Sequence, residues 1–262
     1  MATQRGLFPD QPEGANGLPK VTEQPCLGER CGLCVAACPT QAIALGPAAG
    51  GEGAVALDRG VCIGCSGCLE ACPTGTLARD LRTRTAVTRR EDLVFSNRQR
   101  PVRGAEPRRP SELLRSLHVR EVSTGCNATD LEVQATTNPI FDAARFGVHF
   151  VASPRFADAL LVTGPVARGM REAVVRCHRA MGAPRLVLAV GTCAVSGGLH
   201  RGGYAEAEGV SVVLQPDVYV PGCPPHPWSI IHGLLVAMGR AEGVAAGTTT
   251  EKEPDGSRGK GT

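Results

Sequence analysis

From about residue 111 the chain alternates short apolar runs with longer amphipathic stretches. "HVREVS" alternates apolar and polar positions as a half-buried strand does, and "GVHFVA", "ALLVTG", "RLVLAVG" and "DVYV" are short runs rich in β-branched residues. Between them, Val166–Met181 and Trp228–Met238 carry helical patterning, and "SELLRSL" opens on an N-cap-like Ser111 and reads as a short helix. Strand and helix in alternation predict an α/β domain with a parallel sheet. Residues 21–80 lack that rhythm. Their only strand-like runs, "AIALG" and "GAVALDRG", predict a small hairpin. Residues 1–20, polar and rich in Gly and Pro, read as a flexible tail, and 243–262 as a disordered one. Residues 81–110 hold nine arginines against three acids. The segment 81–112 is read as a solvated Arg-rich linker, or alternatively as a docking strip for a partner subunit or anionic lipid. The second domain is then 113–242.

Composition narrows the function. Of 262 residues 42% are hydrophobic but only 3% aromatic, so the core must be built from Val, Leu, Ala and Ile. A net charge of +3 is too small to imply nucleic acid by itself. The first residues show no secretory pattern. The most apolar stretch, "SIIHGLLVAMG", falls short of the roughly 18 residues of a membrane span. A cytoplasmic location is expected, where thiols stay reduced and twelve densely spaced cysteines read as metal ligands rather than disulfides. No G-x-G-x-x-G follows a strand and there is no P-loop, so no nucleotide or flavin site is expected, nor is a nucleophile–base pair apparent.

Eight of the cysteines form two similar blocks ending in Cys-Pro: Cys26-x4-Cys31-x2-Cys34-x3-Cys38-Pro39 and Cys62-x2-Cys65-x2-Cys68-x3-Cys72-Pro73. The second is the bacterial ferredoxin run. Three closely spaced thiolates wrap one side of an iron–sulfur cluster, and small residues such as Gly64, Ser66 and Gly67 let backbone amides approach its sulfides. Zinc knuckles or disulfides do not need this triple spacing twice. The blocks resemble two-cluster bacterial ferredoxins, although the first has two extra residues after Cys26. The resemblance implies an α+β ferredoxin-like module with two [4Fe-4S] clusters, one on Cys26, Cys31, Cys34 and Cys72, the other on Cys62, Cys65, Cys68 and Cys38.

In the second domain "STGCNATDLEVQA", "GTCAVSGG" and "VPGCPPHPW" each follow a predicted strand. Loops after parallel strands gather at one sheet edge, so Cys126, Cys193 and Cys223 should converge. From about residue 113 to 240 the chain resembles the 20-kDa iron–sulfur subunit of complex I. It is still more similar to the small subunit of membrane-bound, formate hydrogenlyase-type [NiFe] hydrogenases, on "NPIFDAARFGVHFVASPRFADALLVTGPVARGM" and "DVYVPGCPPHP". The resemblance implies a third cluster beside a catalytic large subunit, and peripheral attachment to the inner face of the cell membrane through partner subunits. It implies an electron-relay subunit of an oxidoreductase complex. The alternatives are an NADH-quinone oxidoreductase subunit passing electrons to quinone, or a scaffold or assembly subunit whose C-terminal cluster is lost. The hydrogenase-type motif is Cys-Asn-Gly-Cys-Asp, whereas this chain reads Cys126-Asn127-Ala128-Thr129-Asp130. Thr129, a hard and barely ionising ligand, stands where a second thiolate belongs. Asp130 or water could complete the cluster, the site could hold three irons, or the cluster could be lost. Cys177, about eleven residues into the helix predicted from Val166, would lie about 16 Å down it and is expected to be structural. His226 could tune the site by hydrogen bonding or simply face a subunit interface, and His118 and His149 are expected to be structural. Glu132 could move protons or serve as a helix-start charge.

Overall fold

The computed structural model describes residues 7–49, 52–97, 113 and 115–244, with the side chains of 47–49 and 52 left out. Ser111, Glu112 and Leu114 of "SELLRSL" and residues 245–262 lie outside the described residues.

The cysteine-rich module begins with β1 (Leu18–Val21), α1 (Leu33–Ala36), β2 (Ile43–Ala49) and β3 (Glu52–Asp58). It continues through α2 (Gly67–Glu70), β4 (Leu77–Asp80) and β5 (Val94–Ser96). The hairpin β2–β3 forms as its alternating pattern predicts, and β1 pairs antiparallel with β4. The similarity of the two cysteine blocks extends to the backbone. Each one-turn helix is preceded by a left-handed residue, Gly32 and Ser66, both at φ 65° and ψ −4°. A small core of Val21, Val55, Leu57, Val61, Leu77 and Phe95 packs against the buried Cys34, Cys62 and Cys68.

The second domain comprises β6 (Leu117–Ser123), α3 (Asn127–Ala135), β7 (Val148–Phe150), β8 (Ala159–Thr163) and α4 (Arg171–Ala180). It closes with β9 (Leu186–Val190), α5 (Thr192–Ser196), β10 (Val218–Val220) and α6 (Pro227–Ala237). All five strands are parallel, in the order β10-β9-β8-β6-β7. Every residue of β8 and β9 is buried, because helices cover both faces. Leu161, Leu188 and Val190 meet α6 on one face, and Leu160, Val162 and Val187 meet α4 and α5 on the other. Helix α6 is buried throughout, which is why its sequence lacks a polar stripe. A β-carbon at Gly233 would come within 2.4 Å of Val220 Cγ2, so glycine permits that contact.

Four expectations need correction. The tail is ordered from residue 7: Phe8 is buried edge-on against Trp228 and His232, and β1 is a paired strand. One aromatic ring offers enough apolar area to anchor a polar segment. Likewise residues 81–97 of the expected linker are structure. Val94–Ser96 is the third strand beside β3, and Val87 bridges Tyr219. The Ala86 N–H donates to Nδ1 of the buried His232. Here Arg82 pairs with Asp80, Arg89 with Asp92 and Arg90 with Asp58, so these three arginines serve this chain; residues 98–112 lie outside the described residues. Helix α4 starts at Arg171 rather than Val166. Val166 has a positive φ of 59°, and its N–H donates to Thr124 Oγ1, which tethers the loop to the sheet edge. Residues 243–244 are also placed, the Val244 N–H donating to the Ala86 carbonyl.

Candidate metal centres

The eight thiols of the first module fall into two neighbourhoods. Burial pushes Cys34 up, and Cys72 and Cys26 add to this. Burial pushes Cys62 up to about 11, and Cys38 and Cys65 add while Arg59 opposes. Cys68 is pushed up to about 12 by burial, then by Cys62, Cys38, Cys65 and Cys34. Cys72 is raised by burial, but N–H groups around Leu77, Thr74 and Thr76 and the Thr74 hydroxyl bring it below its ordinary value. Thus Cys72 crosses to the first block and Cys38 to the second.

Buried, mutually repelling thiols ionise readily only when positive charge arrives with them. The backbone is arranged for that state. The N–H groups of Gly28, Ala42 and Gly64 donate to Sγ of Cys26, Cys38 and Cys62 at 3.3, 3.2 and 3.4 Å. Donors aimed at sulfur fit an anionic iron–sulfur cluster. Among the described residues no three His, Cys, Asp or Glu side chains are grouped to hold one metal ion. A four-iron cluster carries its thiolates on four separate irons and needs them farther apart.

Arg59 stands three residues before Cys62, and sequence reasoning does not single it out. It is 2% exposed, donates to Asp80 at 2.6 Å and to the Pro19 carbonyl at 2.9 Å, and stacks on Phe95. Asp80 in turn accepts from Arg82. Burial would raise the Asp80 carboxyl, but Arg82 and Arg59 hold it well below the usual carboxylate range. The only hint is a lone arginine in the apolar hairpin strand "GAVALDRG".

In the second domain the three predicted loops meet. Burial raises Cys193 to about 12, with Cys126 and Cys223 adding, and it raises Cys223, with Cys126 adding. A β-carbon at Gly198, which has φ +56°, would lie 2.9 Å from Cys193 Sγ, so glycine keeps space over that sulfur. Thr129 is 2% exposed, with Oγ1 3.2 Å from Cys126 Sγ. Asp130 is engaged elsewhere, its two carboxylate oxygens accepting from the Ser123 and Thr163 hydroxyls. As it stands it is not free to complete the thiol set. Cys177 packs in the core and bonds to Arg120, as a structural residue would. Because α4 starts later than expected, it lies about 9 Å into that helix rather than 16 Å.

The two modules are joined at their cysteine loops. Thr192 Oγ1 donates to the Cys62 carbonyl at 2.8 Å, and Ser196 Oγ to the Gly60 carbonyl at 2.8 Å. Both donors sit on α5, which carries Cys193. Beside this seam a cavity of about 360 Å³ is lined by Gly64, Cys65, Glu132, Cys223 and His226. Burial raises the Glu132 carboxyl and lowers His226, whose Nδ1 accepts from the Trp228 N–H at the start of α6. His118 sits against Asp158 and stacks on His149, away from the thiols.

These features define an iron–sulfur protein of two modules, a thiolate-rich ferredoxin-like unit docked on a parallel α/β domain. Residues 26–76 match the 4Fe-4S dicluster domain, and 126–237 match the family described as NADH ubiquinone oxidoreductase, 20 Kd subunit. The chain is 38% identical over 140 residues to the Pyrococcus furiosus protein named "Probable membrane-bound hydrogenase subunit mbhJ", covering 53% of this chain and 84% of that one. It is 40% identical over 132 residues to "Formate hydrogenlyase subunit 7" of Escherichia coli, covering 50% and 52%. It is 44% identical over 115 residues to an NADH-quinone oxidoreductase subunit of Roseiflexus, covering 44% and 43%. The chain therefore spans about half the length of these last two relatives. Through its α/β domain it belongs to the NADH ubiquinone oxidoreductase 20 Kd subunit family.

Proposed function

We propose that this chain is the iron–sulfur electron-transfer subunit of a complex I-related, membrane-associated hydrogenase or oxidoreductase. Clusters bound at its cysteine sets take up and release single electrons. Cys26, Cys31, Cys34 and Cys72 form the outer set and Cys62, Cys65, Cys68 and Cys38 the inner one. Cys126, Cys193 and Cys223 form a third at the sheet edge. The observation that carries this reading is the buried pair of bonds from Thr192 and Ser196 to the loop of Cys62. They hold the Cys62 loop of the inner set against α5, which carries Cys193 of the third. The exposed Leu131 and Ile140, on and just after the helix that follows Cys126, offer apolar surface for a large catalytic subunit. Among the described residues no helix is long and apolar enough to cross a membrane. Attachment to the inner face of the cell membrane through partner subunits fits that, as do the names of the hydrogenase relatives. The 44% identity to a quinone-linked relative favours a second version, in which the acceptor is quinone. Nickel in the large partner separates the two.

The test is Cys68→Ser in the assembled complex. With an external reductant, the outer set should still be reduced while the third is reduced far more slowly. Reduction of the third set at the wild-type rate would refute a route through the inner one.

A further inference from the structure

Among the described residues the third set offers three thiols and no fourth. Three neighbouring candidates are committed elsewhere. The Asp130 oxygens accept from Ser123 and Thr163, His226 Nδ1 accepts from Trp228, and Cys177 bonds to Arg120. What fills the fourth corner is Thr129. Its Oγ1 lies 3.2 Å from Cys126 Sγ, within hydrogen-bond reach of that sulfur. A β-carbon on Gly191 would lie 2.8 Å from the Thr129 oxygen and 3.3 Å from its methyl carbon, so the side chain is packed directly over the strand-end glycine.

We infer that the C-terminal site of this chain is built for a three-iron, three-thiolate cluster on Cys126, Cys193 and Cys223. Thr129 occupies the place of the fourth ligand and donates its hydroxyl proton to the Cys126 sulfur. The inference rests on the reading that this domain holds a cluster at all. An iron at the fourth corner would have no soft ligand, whereas each remaining iron has its own thiolate. A hydroxyl donor to the Cys126 sulfur stabilises the more negative, reduced state of the site and shifts its potential upward.

The experiment is iron and acid-labile sulfide analysis with EPR on the isolated full chain, purified anaerobically, for wild type, Thr129→Cys and Thr129→Val. The expectation for wild type is about eleven irons per chain and the oxidised-state EPR signal of a three-iron cluster. Thr129→Cys should raise the count to about twelve, remove that signal and lower the potential of the site. Thr129→Val, which keeps the shape but has no hydroxyl, should keep the signal with a shifted potential. About twelve irons and no such signal in wild type would overturn the three-iron assignment alone. If Thr129→Val converted a four-iron site into a three-iron one, Thr129 would be a ligand rather than a donor to sulfur. About eight irons would overturn the third cluster itself.

Discussion

The seam between the modules can be loosened without touching a cysteine. Thr192→Val keeps the shape of a side chain that is 1% exposed but removes the hydroxyl that donates to the Cys62 carbonyl, and Ser196→Ala removes the donor to Gly60. Each change leaves a buried carbonyl without that partner, which costs about 1–3 kcal/mol per group. The double variant should therefore weaken docking by roughly 2–6 kcal/mol, reduced somewhat if water enters the seam. At about 1.4 kcal/mol per tenfold, opening of the seam becomes at least about tenfold more frequent. Native-state hydrogen exchange of amides 60–68 reads this directly. They should exchange at least tenfold faster, while β8 and β9 stay protected. Electron transfer from the inner set to the third should slow in parallel. Wild-type exchange in 60–68 would show that the two hydroxyls do not hold the seam and would remove the basis for a fixed route.

Other outcomes follow from the same geometry. Asp80→Ala strands the buried Arg59 and should cost about 3–5 kcal/mol, read as a lower urea midpoint for loss of visible absorbance at pH 7; an unchanged midpoint would refute a structural role for the pair. Glu121 is held protonated up to about pH 7 by burial, with Asp130 adding. Its folded value is raised, so the unfolded chain loses this proton first, and stability falls as pH rises from about 4.5 to about 7. Glu121→Gln should flatten that decline, and an equal slope in both proteins would contradict it. Gly198→Ala, a β-carbon 2.9 Å from Cys193 Sγ, should deplete iron at the third site and spare the ferredoxin irons; full iron occupancy would contradict the close approach.

The strands are legible in the sequence because parallel strands buried on both faces leave uninterrupted Val, Leu and Ala runs, as in "ALLVT" and "LVLAV". The cysteine grouping is legible because ligand spacing is fixed by cluster geometry. What escapes depends on partners distant in sequence. Phe8 looks like tail until Trp228 and His232 meet it. The arginines at 89 and 90 look like solvated charge until Asp92 and Asp58 pair with them. Thr192 and Ser196 read as small loop residues, and their carbonyl partners lie 130 and 136 positions away. Val166 suits the helical pattern by its hydrophobicity, but its bond to Thr124 holds it in a turn. Asp130 is a plausible ligand from its position beside the motif, and only the hydroxyls of Ser123 and Thr163 show that it is taken.

Three one-electron centres in series on one chain are tested most directly by a stepwise anaerobic reductive titration of the isolated full chain. It should take up about three electrons per chain, and Cys193→Ser should remove one of the three steps. Uptake of about two electrons, unchanged in Cys193→Ser, would leave the α/β domain without a redox centre and contradict the claim.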